Sequence, residues 1–160
     1  MKFTKILGIV AALGLSATCY TTDTLAATAV LDNDALSNAP GRTQSSGTWT
    51  YRSGSGYNSD YRIANAGASG FQNSNYIWAF NVKNVNATYS VYLANASFNN
   101  KRTAYQTGEN GGFAYVDQNS APSGWSNIRI AHSYNQLIAI NGALTTKSGN
   151  VGADATRLIY

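Results

Sequence analysis

Thiol and imidazole are almost absent from this chain. Cys19 is its single cysteine and His132 its single histidine among 160 residues. A tetrahedral zinc site needs four N/S ligands, so one chain of this composition builds none. A lone thiol closes no intramolecular disulfide, so stability has to come from packing. Charge is scarce as well. Asp, Glu, Lys and Arg make up 11% of the residues, against about 25% in an average protein. The formal net charge is only +4, and beyond Lys101-Arg102 there is no run of basic residues. That excludes the basic stripe on which nucleic-acid binding rests. The apolar run Ile6–Leu15 falls short of the roughly 20 residues that span a bilayer.

Ring systems and uncharged polar side chains fill the space that charge leaves. The chain has 11 Tyr, 3 Trp and 5 Phe, and 44% of its residues are apolar. This content argues for a packed core and against disorder. Asn, Ser, Thr and Gly dominate the remainder, a blend that suits an extracellular β-protein with many turns.

Residues 1–27 read as a secretory signal peptide. Lys2 and Lys5 supply the positive start, Ile6–Leu15 the apolar stretch, and Leu25-Ala26-Ala27 the small residues of a cleavage point. A cut near Ala17 is the competing choice. Residues 28–160 then form the mature domain, and Cys19 leaves with the leader. Ser16-Ala17-Thr18 before it lacks the Leu and the Gly or Ala that usually precede a lipid-attachment cysteine.

Several windows alternate at period two, as strands with one buried face do. In Tyr76-Ile77-Trp78-Ala79-Phe80 the large residues fall at even positions. In Tyr89-Ser90-Val91-Tyr92-Leu93 they fall at odd positions. Trp49, Trp78, Tyr89 and Val91 are the expected core. Short apolar runs recur at Ile128–Ala131 and Leu137–Ile140. Turn clusters separate them, at Ser53–Gly56, Asn99-Asn100, Asn110–Gly112, Pro122–Gly124 and Ser148–Asn150. Asn141-Gly142, between LIAI and ALTT, predicts a two-residue hairpin. Asp34 to Ser46 reads as a long polar loop. No window after the leader carries a helical stripe, so the expectation is an all-β sandwich or barrel.

Candidate chemistry is thin. His132 could serve a nucleophile with Ser133 or Asp117, but no serine sits in a G-x-S-x-G elbow. Arg129, His132 and Tyr134 carry the types a polysaccharide lyase uses, yet strand alternation splits neighbours between faces. The chain therefore reads as non-catalytic. Asp32, Asn33 and Asp34, with Asp154, supply oxygen donors of the kind calcium takes, although the spacing is no EF-hand. Asx turns account for the same residues. Asn86-Ala-Thr88 and Asn95-Ala-Ser97 fit the glycosylation sequon.

The aromatics are the stronger lead. A sugar ring stacks its C–H face on a flat ring while its hydroxyls seek amides, carboxylates and guanidinium groups, and the mixed surface of Tyr and Trp suits that. Tyr57, Tyr61, Tyr105 and Trp125 are the expected loop aromatics. Asn58, Asp60, Arg62, Asp117 and Gln118 are their polar companions.

Six segments in order frame the whole domain. They are VLDNDA (30–35), SGTWT (46–50) with GYNSDYRIA (56–64), NATYSVYLA (86–94), NKRTAYQT (100–107), YVDQ (115–118) with Gly124-Trp125, and ADATRL (153–158). Together they resemble the golvesin C-terminal domain, also described as the xanthan-lyase carbohydrate-binding-like domain, over residues 29–160. The resemblance implies a jelly-roll β-sandwich of the galactose-binding type with a carbohydrate-binding role. The expected partner is a polysaccharide or cell-wall glycan. The other class open to such a chain is a structural or adhesive surface protein that uses the tyrosine-rich face to hold a protein or itself. A ligand groove separates its aromatics with polar groups, whereas a protein interface needs a contiguous apolar patch.

Overall fold

The computed structural model describes residues 26–36, 40–93, 97–109, 112–120 and 124–160. Cys19, the Asn95 sequon and all of the expected leader before Ala26 lie outside the described residues. So do the Asn110-Gly111 and Pro122-Ser123 turn residues.

Ten strands account for most of what is described: β1 (Thr28–Leu31), β2 (Gly41–Ser46), β3 (Thr50–Ser53), β4 (Asp60–Asn65), β5 (Asn75–Tyr92), β6 (Thr103–Thr107), β7 (Gly112–Val116), β8 (Trp125–Asn141), β9 (Asn150–Ala153) and β10 (Thr156–Ile159). Two 3-10 turns, Tyr57–Ser59 and Phe71–Asn73, are the helical elements among the described residues. Every strand pair is antiparallel. The larger sheet runs β1-β10-β5-β8-β6-β7 with β2 also on β5, and the smaller runs β3-β4-β9. The result is an all-β jelly-roll sandwich, as the sequence leads one to expect.

β5 and β8 each serve two parts of the sandwich. The first half of β5 pairs with β2, and its second half pairs with β10. Between them the β5–β8 register shifts, after Ala79 and before Lys83. Asn84 just beyond takes a left-handed φ of 53°. The shift explains the change of parity seen in the sequence. Tyr76, Trp78 and Phe80 point inward before it, and Tyr89, Val91 and Leu93 after it. A one-residue slip would otherwise have turned one of these rows to water.

Polar atoms of the inward rings all find partners. Trp78 Nε1 donates to the Asp154 carbonyl at 3.1 Å, the Tyr76 hydroxyl to the Asn33 carbonyl, and the Tyr89 hydroxyl to Gln136 Oε1. Trp49 is only partly buried at the core's rim.

Two expectations are corrected. The polar stretch before Ser46 is not all loop, because Gly41–Ser46 pairs with Phe80–Asn75 along the edge of β5. Its side chains are mostly exposed, so backbone bonds make this strand and apolar alternation is missing. Asn141-Gly142 makes no two-residue hairpin. Thr145 N donates back to the Asn141 carbonyl at 3.2 Å, and no strand follows until Asn150. Gly142 is needed for close approach: its N–H donates to the Ser74 carbonyl at 2.9 Å, and a Cβ there would strike the Phe71 and Ser74 carbonyl oxygens.

Candidate functional site

A candidate site lies at the open edge of the sandwich. β8 pairs with β6 only through Ile138–Ile140. Its first half therefore runs clear of the β6–β7 ladder, while β7 forms the last strand of the larger sheet. Between β7 and the start of β8 lies a cleft of about 320 Å³. Tyr115, Asp117, Ser120, Ser126, Asn127 and Ile128 line it.

Tyr115 is 46% exposed. The Arg102 guanidinium lies 3.7 Å from its ring centroid, which fixes the ring's attitude. Asp117 caps the turn that follows. Its Oδ1 accepts from the Asn119 and Ser120 N–H groups at 3.0 and 3.2 Å, and its Oδ2 from the Ser120 hydroxyl at 3.0 Å. Across the cleft Asn127 Oδ1 accepts from the Ser90 hydroxyl at 2.8 Å.

Beside the cleft stands a trio of rings. Tyr92 and Trp125 are direct partners across β5 and β8, with centroids 5.3 Å apart and edge to face. Tyr57, from the 3-10 turn, meets both at 5.5 Å. Arg157 projects from β10, opposite Ser90 two residues before Tyr92. Its guanidinium sits 4.5 Å from the Trp125 centroid. All four are half-buried. Trp125 and Asn127 are two apart on one strand and share a face, so the trio borders the cleft.

Such an arrangement can hold a ligand that is apolar on one face and hydroxylated at its edges. Tyr115 offers the ring, and carboxylate, hydroxyl and amide groups stand between it and Trp125. Aromatics are separated by polar groups here, as a ligand groove requires.

The remaining expected site residues divide by burial. Tyr105 is 1% exposed, and burial raises its phenol well above the usual range. Its hydroxyl accepts from Gln118 Nε2 at 2.6 Å. Gln118 is buried too, and its amide exchanges two 3.0 Å bonds with the Gly152 backbone, as a neighbouring strand would. Tyr61 is buried edge to face against Phe98 at 5.2 Å. These three build the interior, which corrects their expected place among the ligand contacts: β4 and β6 turn Tyr61 and Tyr105 inward, and the Gly152 backbone holds Gln118 inward from the turn after β7. Asp60 accepts from the Asn33 side-chain amide.

Arg62 lies over the Tyr51 ring at 4.7 Å and hydrogen-bonds the Tyr76 hydroxyl, whose pKa burial nonetheless pushes up to about 12. Arg62 also lines a second pocket, of about 420 Å³, with Asp34, Trp49 and Tyr76. The Trp49 ring there is committed edge to face against Phe71 and Tyr76, and its Nε1 donates to the Asn75 carbonyl at 3.1 Å. Among the described residues no ring packs on Tyr115 in this way, and its ring stands 46% exposed with the Arg102 guanidinium over it.

Asp32, Asp60 and Asp154 converge at another corner, where the end of β1, the Tyr57 turn and the β9–β10 link meet. Asp154 is buried, and both its oxygens accept from the Tyr57 N–H at 3.1 Å. Burial, with the charges of Asp32 and Asp60 adding, pushes its pKa up to about 8 against that hydrogen bond. Burial raises Asp32 as well. Asp34, expected beside them as a calcium ligand, is exposed on the far side of Asn33 and lines the second pocket. His132 is exposed on β8 opposite Asn86, while Ser133 Oγ donates to the Asn135 carbonyl at 2.8 Å.

Sequence reasoning missed Tyr92, Tyr115, Ser126, Asn127 and Arg157. Parity held the signal for two of them. If Tyr89, Val91 and Leu93 face inward, Tyr92 faces out, and Tyr115 faces out once Tyr105 is known to face in.

Fold and cleft together define a β-sandwich module of jelly-roll type. No family model matches the chain, and no curated protein matches it. Among solved structures it is similar to part of a xanthan lyase from Paenibacillus. That structure is 22% identical, with a TM-score of 0.62, over 82% of this chain and 13% of the lyase chain. The likeness concerns the fold, and it spans a small part of the lyase.

Proposed function

We propose that this protein is a secreted, non-catalytic carbohydrate-binding module related to the golvesin C-terminal domain. Residues 1–27 are then its leader and residues 28–160 the binding domain. The observation that carries this reading is the β7–β8 cleft, where an exposed ring held by Arg102 stands with polar side chains from β8 and from the turn after β7. The fold's likeness to a portion of a polysaccharide-degrading lyase supports it. Glycan held by one ring and a few hydrogen bonds binds weakly, with a Kd of about micromolar to millimolar unless several copies act together.

The purified protein, tested on an array that includes bacterial wall polysaccharides, peptidoglycan and xanthan, should bind a defined glycan. Tyr115→Ala should abolish the signal with unfolding unchanged. Binding that survives in Tyr115→Ala would remove the cleft from the proposal.

A second reading rests on Ile130 and Tyr134, 76% and 58% exposed on one face of β8. In that reading they form an adhesive contact with protein. A blank array, with Ile130→Ser abolishing self-association or partner capture, would favour it.

A further inference from the structure

We propose that the outer face of the smaller sheet is a second glycan site, and that it takes a carboxylate-bearing sugar of the uronate class. The proposal rests on the reading of this protein as a glycan binder. The site itself is separate from the β7–β8 cleft, with which it shares no lining residue.

Register builds this face. Across β3, β4 and β9, Thr50 stands opposite Ile63, Arg52 opposite Tyr61, Ile63 opposite Gly152, and Asn65 opposite Asn150. Residues directly opposite in a ladder share a face. The alternate residues Ala64, Val151 and Ala153 belong to the core. Thr50, Arg52 and Asn65 are accordingly exposed, and Ile63 and Asn150 half-buried.

The face is hollow rather than flat. A Cβ at Gly152 would stand 2.1 Å from Phe98 Cδ1, so the Phe98 ring lies directly on the strand and seals Tyr61 beside it. Ser97 and Phe98 thus rise as a wall above β9. Asn99 fastens that wall: its N–H donates to the Asn150 carbonyl at 3.0 Å, and its Oδ1 accepts from the Asn150 N–H at 2.6 Å. The space enclosed is about 400 Å³, with Ile63 in its floor and Thr48 at its rim. Sites for small ligands start at about 300 Å³.

Its chemistry is one-sided. Arg52 is the cation of the hollow, and no Asp or Glu lines it. Among the described residues no carboxylate pairs with the Arg52 guanidinium. Asp60, in the same strand as Tyr61, falls on the other face by parity and accepts from the Asn33 amide. The remaining polar groups are neutral. Asn65 Oδ1 accepts from the Gly67 N–H at 2.9 Å, which leaves Nδ2 to donate. The Thr48 and Thr50 hydroxyls and the Asn150 amide complete the set. A guanidinium offers two parallel N–H groups that match the two oxygens of a carboxylate. Hydroxyls and amides suit the hydroxyls of a sugar, and Ile63 offers apolar surface to its C–H face. A neutral sugar would leave Arg52 without its anion, so the carboxylate is what the hollow selects.

The test compares sugars that differ at the carboxylate. Oligomers of β-1,4-linked glucuronate and α-1,4-linked galacturonate are titrated into the whole protein by calorimetry, each beside its uncharged glucose or galactose counterpart. At least one uronate should bind saturably and roughly tenfold more tightly than its counterpart, as a hydrogen-bonded charge pair allows. Added salt should weaken that binding, because the site is open to solvent. Arg52→Gln should abolish the preference at an unchanged melting temperature. Asn65→Asp keeps the acceptor for Gly67 and places a negative charge in the hollow, so it should weaken the uronate as well. Tyr115→Ala should leave uronate binding intact. Uronates bound no better than their neutral counterparts would overturn this site, and neutral binding that depends on Tyr115 would leave the cleft standing. A uronate preference that survives Arg52→Gln, or that is lost in Tyr115→Ala, would also overturn it. Binding of neither kind would contradict both sites.

Discussion

Tyr105 and Tyr115 stand on neighbouring strands of one ladder and meet opposite fates. Tyr105 pairs with Ala114, and Tyr115 pairs with Ala104. The one-step offset sends their rings to opposite faces, since adjacent pairs in a ladder alternate. Tyr105 is sealed, its hydroxyl bonded to Gln118. Tyr115 lies in the cleft under Arg102. The aspartates repeat the contrast: Asp117 caps a turn at the cleft's rim, and Asp154 is enclosed at the acidic corner. Residue type is the same in each pair; register decides for the tyrosines which serves the interior and which can meet a ligand, and the turns that carry them decide for the aspartates.

The contrast can be sharpened first with pH. Asp154 keeps its proton up to about pH 8 when folded, whereas an ordinary aspartate loses it near 3.8. The folded state binds more protons throughout that window. Stability should therefore be full below it, fall as pH rises from 3.8 towards 8, and change no further above. Denaturant unfolding in chelator-containing buffers should show this slope. Asp154→Asn should flatten it. A stability that rises with pH across this range would reverse the assignment.

Truncating the two tyrosines should separate stability from binding. Tyr105→Ala should cost about 3–5 kcal/mol, as large-to-small core changes do. Tyr115→Ala should stay within about 1 kcal/mol, the scale of an exposed cation–π contact, while abolishing glycan binding. Equal losses of stability would mean that Tyr115 is also a packing residue.

Gln118→Ala leaves the Gly152 N–H and carbonyl without their partners, and a loss of about 2–3 kcal/mol is expected in the same experiment. Trp125→Ala should be the mildest. It removes a ring beside the cleft rather than in it, so glycan affinity should fall about tenfold, or about 1.4 kcal/mol. Melting should move only slightly.

Much of this architecture is legible in the sequence. The two parity rows in β5 and the turn clusters sufficed for an all-β sandwich, because both report on a buried face. β2 was not legible, since a strand that pairs through backbone on an edge needs no apolar pattern. The absent hairpin at Asn141-Gly142 has a similar cause: the glycine is there for contact with the Phe71–Ser74 turn, which lies far away in sequence.

The site was only half legible. Tyr57, Trp125 and Asp117 do lie at or beside the cleft. Tyr105 reads as a loop residue because TAYQT sits between turn clusters, although it forms β6; Gln118 does lie in a turn, and the Gly152 backbone, far away in sequence, draws it inward. Asn33 shows the limit most clearly. Its side-chain N–H meets Asp60, 27 residues away, a contact no local pattern announces.

The most direct measurement is the affinity of the parent protein and of Tyr115→Ala for the glycan selected on the array, by calorimetry, with melting curves recorded for both. Saturable binding by the parent, lost in the variant at an unchanged melting temperature, is the expected result. A parent that binds none of the glycans, or a variant that binds as well as the parent, would contradict a carbohydrate site in the β7–β8 cleft.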